Sequence, residues 1–100
     1  MQKGTVDSEK AVERRLVELV KHNGGMCIKL LCDQLIGLPD RMCLFPGHKI
    51  VFVELKTTGK KPKRIQLYIH EKLRKLGFCV EVIDTIKGVE QFIDSIIYEN

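Results

Sequence analysis

Residues 50–53 read Ile-Val-Phe-Val, an unbroken apolar run followed directly by Glu54, Leu55 and Lys56. Successive side chains of a strand point to opposite faces, so a continuous apolar run predicts a strand covered on both sides rather than one with a wet face. Helices must then cover both faces, which limits the chain to a layered arrangement around a sheet. The polar end of the same strand is the second constraint. Glu54 and Lys56 share a face while Leu55 points into the core, so a carboxylate and an ammonium are neighbours where the strand leaves the apolar interior. On these two residues alone, a surface ion pair that finishes the strand and one half of a metal-dependent site are both open.

The remaining pattern supplies the layers. Thr5, Asp7 and Ser8 are candidate N-caps for a helix that runs to His22 and stops at Gly24 and Gly25, with Val12, Leu16, Leu19 and Val20 as its apolar stripe. Met26 to Cys32 reads as a strand, Gly37 and Pro39 mark a loop, and Arg41 to Phe45 gives a second strand. Pro46, Gly47 and His48 suit a hairpin turn into the third strand, Ile50 to Lys56, and Thr57 to Lys61 is a loop. Pro62 fits the first turn of a helix carrying Ile65, Tyr68, Ile69, Leu73 and Leu76 on one side and ending at Gly77. Phe78 to Ile83 alternates like a strand, and Val89, Phe92, Ile93, Ile96 and Ile97 form the stripe of a last helix. That stripe is read as core, with a dimer interface as its alternative use. The expected order is α-β-β-β-α-β-α, an α/β or α+β sandwich around a mixed sheet of about four strands.

One hundred residues at 44% apolar content are enough for a single small core, so one domain over residues 1–100 is expected. Cys27, Cys32, Cys43 and Cys79 form no C-x-x-C pair and sit in mainly hydrophobic surroundings, so they are expected reduced and mostly buried. The first residues contain no apolar segment of a secretory signal, and no run approaches the roughly 18 apolar residues of a membrane span. A soluble, cytoplasmic protein is expected. Between Lys56 and Lys75, eight Lys or Arg against Glu71 alone leave a fifth of the chain at +7. Nine basic and twelve acidic residues leave the remainder at −3. A compact basic patch on a slightly acidic domain points to a polyanion, and phosphate backbones are the commonest one; a solvated helix face is the plainer account. His22, His48 and His70 show no metal-ligand spacing and read as solvated.

Asp40 precedes the second strand, and a hairpin of strands two and three brings its carboxylate towards that of Glu54. Two carboxylates in proximity repel unless something cationic lies between them, which a hard divalent metal with open positions for water and phosphate would provide. Glu9 lies three residues before Val12, on the core face of the first helix, and is a candidate third ligand. Glu13 lies near the same face and is an alternative.

Glu9, the Gly-Leu-Pro-Asp-Arg of residues 37–41, the Val-Glu-Leu-Lys of residues 53–56 and Gln66 together resemble the VRR-NUC nucleases, a branch of the PD-(D/E)xK superfamily that includes restriction enzymes and Holliday junction resolvases. The resemblance extends from Glu9 to about Ile83 and implies a restriction-endonuclease-like core. It implies a phosphodiesterase using Mg2+ or Mn2+, held by Asp40, Glu54 and Glu9 with the Leu55 carbonyl as a further ligand. Lys56 would orient or deprotonate the attacking water, or stabilise charge on the phosphate. Gln66 would position Lys56 or a water, and Lys60, Lys61, Lys63 and Arg64 would hold neighbouring phosphates of the DNA. So small a chain has little with which to read bases, so it is expected to act on DNA structure, such as a four-way junction, as a homodimer. A monomeric flap or nicking nuclease and a non-catalytic nucleic-acid-binding module are the alternatives.

Overall fold

A computed structural model describes residues 5–98. Its elements are α1 (Glu9–His22), β1 (Met26–Lys29), β2 (Arg41–Phe45), β3 (Lys49–Leu55), α2 (Arg64–Lys75), β4 (Cys79–Ile83) and α3 (Ile86–Ile97), in the order read from the sequence. Ser8 caps α1 by accepting from the Ala11 N–H at 3.1 Å. The chain leaves α1 through Gly24, which adopts φ +81°, and Gly25, where a Cβ would run into the Leu44 carbonyl. Glycine is therefore required twice at the step from helix to sheet.

The strands lie in the order β1-β2-β3-β4. The first two pairings are antiparallel, with Cys27 opposite Cys43 and Cys43 opposite Val51. β3 and β4 are parallel, with Glu54 beside Val82, and α2 forms the crossover that a parallel pair requires. β1 is shorter than the pattern suggested. Its pairing with β2 ends at Lys29 opposite Arg41, and after Leu30 donates to the Asp40 carbonyl at 2.9 Å, Leu31 and Cys32 have no further backbone partner among the described residues. A strand persists only where its backbone has a partner.

Alternation along β3 sorts the two layers. Val51, Val53 and Leu55 join Cys43, Phe45, Val12, Leu16 and Val20 of α1, and Val89, Phe92 and Ile93 of α3 in one core. Val89, Phe92 and Ile93 of the α3 stripe thus serve the core of their own chain and Ile96 packs against it, while Ile97 is 42% exposed. Phe52 and Glu54 face the other side, where Phe52 meets Phe78 edge to face at 5.6 Å between centroids. Here α2 packs against β4.

Several expectations change on the α2 side. Of the expected stripe, Ile69 is buried and Leu73 partly so, but Tyr68 is 57% and Leu76 74% exposed. The helix turns its Ile69 and His70 face to the sheet instead, so a polar residue occupies the interior place that the pattern assigned to apolar ones. Pro62 lies before the helix; Lys63 is the N-cap, and Gln66 closes the first turn by accepting from the Lys63 N–H at 2.7 Å. Among the cysteines only Cys43 is buried, while Cys32 and Cys79 are exposed, because Cys32 falls beyond the end of β1. Among the described residues no helix is long and apolar enough to cross a membrane.

Candidate functional site

β3 leaves the core with Glu54 pointing towards α2, and Glu54 is 1% exposed. A carboxylate so buried needs donors. Gln66 Nε2 donates to Glu54 Oε2 at 3.1 Å, Lys56 Nζ lies 3.5 Å from the same oxygen, and His70 Nε2 lies 3.2 Å from Oε1. Lys56 is itself held, donating through Nζ to Gln66 Oε1 at 3.0 Å. Gln66 therefore faces its oxygen to the lysine and its N–H to the carboxylate, an orientation set by the network.

Asp40 enters from the start of β2. The register that sets Arg41 opposite Val53 brings Asp40 beside the end of β3, where its Oδ2 accepts from the Leu55 N–H at 2.7 Å. Burial first, and then the negative charge of Asp40, push the Glu54 carboxyl up to about 7, against the opposing pull of the Lys56 ammonium. The repulsion expected between the two carboxylates is therefore present, and the lysine does not cancel it. Burial also lowers the pKa of His70, as do the charges of Arg74 and Lys56, while Asp40 acts in the opposite sense.

The candidate third carboxylates lie elsewhere. The Glu9 N–H donates to Thr57 Oγ1 at 3.2 Å, so the start of α1 adjoins the end of β3, but the Glu9 side chain is exposed. The helix's buried stripe begins at Val12, one turn further in, which leaves Glu9 at the rim instead of facing the core. Glu13 is engaged by Arg41, with Nε and Nη2 each 3.0 Å from its Oε2, and Arg41 Nη1 also donates to the Cys27 carbonyl at 3.1 Å. Among the described residues no cluster of three or more His, Cys, Asp or Glu side chains is assembled to hold a metal. The Asp40 and Glu54 pair nevertheless suits a hard divalent cation. Its donors are carboxylate oxygens under mutual repulsion, and Mg2+ in particular is commonly held by one or two carboxylates, its other positions going to water and substrate phosphate. Leu55 places its side chain in the core.

The basic loop leaves the site from a fixed base. Gly59, at φ +89°, donates its N–H to Asp84 Oδ2 at 2.9 Å, and Thr58 Oγ1 donates to the Asp84 carbonyl at 2.7 Å. On the other side the Thr58 N–H donates to the Asp7 carbonyl at 3.0 Å. Lys60, Lys61, Lys63 and Arg64 are all exposed, and none forms an ion pair among the described residues. Four cations without an ion pair among the described residues therefore lie where the chain passes from the end of β3 into α2.

His70 is the residue that the sequence reading missed. Expected in solvent, it is fully buried against Glu54. The signal was its spacing, four residues after Gln66 and so on the same helix face.

The sequence matches no profile of a known protein family. It is 40% identical over 77 residues to the protein named "Putative nuclease p44" of Acyrthosiphon pisum secondary endosymbiont phage 1, a match covering 77% of this chain and 83% of that protein. A solved structure described as a VRR_NUC domain superposes with a TM-score of 0.80 and 30% identity, over 94% of this chain and 100% of that one.

Proposed function

The chain belongs to the VRR-NUC nuclease family, and on that premise we propose that it is a Mg2+- or Mn2+-dependent endonuclease of structured DNA whose cation is held by Asp40 and Glu54. The observation that carries this reading is the carboxyl of Glu54, buried beside Asp40 and pushed up to about 7, with Lys56 only 3.5 Å away. An arrangement in which burial and a second carboxylate oppose the ionisation of Glu54, in a fold of this family, is explained by a cation that joins the two.

Bound there, a divalent cation supplies positive charge to the scissile phosphate and acidifies a water. The chain's own residues do the rest. Asp40 is fixed by the Leu55 N–H and Glu54 by the Gln66 amide, so neither has to reorganise on binding. The Leu55 carbonyl, and Glu9 at the rim, are the further candidate ligands. Lys56, kept in place by Gln66 Oε1, directs its ammonium into the site to orient the attacking water or to offset charge developing on the phosphate. Lys60, Lys61, Lys63 and Arg64 hold the flanking phosphates, which gives affinity and register without reading bases. Phosphate contacts carry no base information, so selection rests on DNA shape, a four-way junction being the substrate class proposed. The homodimer reading is supported by the sheet face opposite α1 and α3. There Met26 and Ile50 are exposed and Ile28, Met42 and Leu44 only partly covered, because α2 packs at the β4 end.

Cleavage of four-way junctions, flaps, nicked duplexes and single strands in Mg2+ or Mn2+, by wild type and by Glu54→Ala, tests this reading, with sedimentation at micromolar concentration for the dimer. Metal-dependent cutting that is lost in Glu54→Ala, while binding in EDTA persists, is the expected result. Equal cutting by both proteins overturns the assignment of Glu54. Binding with no cutting of any substrate by wild type favours a non-catalytic module.

A further inference from the structure

On α2, Gln66, His70 and Arg74 follow at intervals of four and form one column. Arg74 Nη2 donates to the Val80 carbonyl at 2.9 Å, and the other two divide the Glu54 carboxylate, Gln66 on Oε2 and His70 on Oε1. His70 is fully buried, and its Nδ1 has no hydrogen-bond partner among the described residues. Those contacts favour one tautomer. With the proton on Nδ1, a buried donor would have no acceptor and the Nε2 lone pair would face Oε1. As an imidazolium, the ring would bury the same orphan Nδ1–H donor. The neutral Nε2–H form alone puts its one donor on the carboxylate and leaves only a lone pair unpartnered.

We propose that His70 is a positioning residue: its Nε2–H holds Oε1 and thereby fixes the plane of the Glu54 carboxylate, with Oε2 turned towards Lys56 and Gln66. A glutamate side chain has three rotatable bonds and a terminal torsion with no sharp preference, so its position on the strand does not aim its oxygens. Gln66 and Lys56 both act on Oε2, and His70 is the donor on Oε1. Without it, the buried carboxylate lacks a donor on one oxygen and can swing in search of another. Groups that hydrogen-bond a metal ligand typically change cation affinity by about 10–100-fold when removed. The proposal rests on the reading of Asp40 and Glu54 as cation ligands and deepens it by naming what orients one of them.

The test is calorimetric titration of Mn2+ into the intact protein without DNA, for wild type, Glu54→Ala, His70→Leu and His70→Gln, each checked for folding by circular dichroism. Wild type is expected to bind Mn2+ at a site lost in Glu54→Ala. His70→Leu should weaken that binding about 10–100-fold. His70→Gln, which keeps an N–H able to reach Oε1, should recover most of it even if both variants lose similar thermal stability. Equal affinity in His70→Leu and wild type overturns the positioning role while leaving the cation site standing. Absence of any Glu54-dependent Mn2+ binding in wild type overturns both. If His70→Leu does not fold, the imidazole 1H–15N spectrum of wild type decides: a proton on Nε2 alone supports the proposal, and one on Nδ1 overturns it.

Discussion

Val53 and Glu54 are neighbours on β3 and almost equally withdrawn from solvent, at 0% and 1% exposure, yet burial acts on them in opposite senses. Burying a valine stabilises a fold by about 1.5–3 kcal/mol. Burial of Glu54 disfavours its charged form and raises its carboxyl to about 7. The face of the sheet under α1 and α3 therefore supplies stability, and the face under α2 holds a charged network at a cost to it. In the fold as a whole, the apolar side offsets what the polar side lacks.

The sharpest way to break this contrast is to change the polar side and find that nothing chemical is lost. Lys56→Met should lower kcat by roughly 10²–10⁴-fold, the range for removing a group that handles a proton in the transition state. A loss of only a few fold in single-turnover cleavage would reduce Lys56 to an ion pair at a strand end. On the other face, Leu16→Ala should destabilise the protein by about 2–5 kcal/mol in urea unfolding. Its Mn2+ affinity below the transition should stay within about twofold, and a parallel fall of both would show that the faces are not independent.

The pH dependence of stability runs the same way. The Glu54 carboxyl holds its proton to about 7 in the folded chain, against about 4.3 when unfolded. Its contribution is therefore fully present below pH 4 and is lost as pH rises through 7, a decline on the order of 4 kcal/mol in the metal-free protein. Asp40→Asn, which relieves the repulsion, should flatten that decline in thermal unfolding between pH 5 and pH 8. The smallest effect belongs to the loop. Lys60→Ala with Lys61→Ala should leave unfolding unchanged and reduce the slope of log affinity against log salt by about 2, if each lysine meets one phosphate. An unaltered slope would remove the loop from the DNA contact.

What the sequence disclosed divides along the same line. The core face was legible because apolar residues recur there with the period of their element: Val12, Leu16 and Val20 on α1, Val89, Phe92 and Ile93 on α3. The pairing of Asp40 with Glu54 was legible because Pro46, Gly47 and His48 demanded a hairpin, and a hairpin fixes which residues face one another. The buried face of α2 was not. A periodicity that scores apolar residues selects Tyr68 and Leu76, whereas the sheet face carries Gln66 and His70, whose burial depends on a carboxylate from a distant strand. The end of β1 was misread for a related reason, since strand length is set by the partner and β2 begins only at Arg41. The side-chain position of Glu9 depends on where α1 meets the end of β3, which no local pattern encodes.

Thermal unfolding of wild type and Asp40→Asn at pH 8, with and without Mn2+, tests the central claim most directly. The substituted side chain keeps an oxygen for the Leu55 N–H and gains a donor for Glu54, so the metal-free variant should melt above wild type, by about 4 °C or more for each kcal/mol relieved. Mn2+ should then raise the Tm of wild type and leave the variant unchanged, because the cation relieves a repulsion that the variant no longer has. A metal-free variant less stable than wild type, or an equal shift of both proteins by Mn2+, would contradict the claim that Asp40 and Glu54 are a strained pair built for a cation.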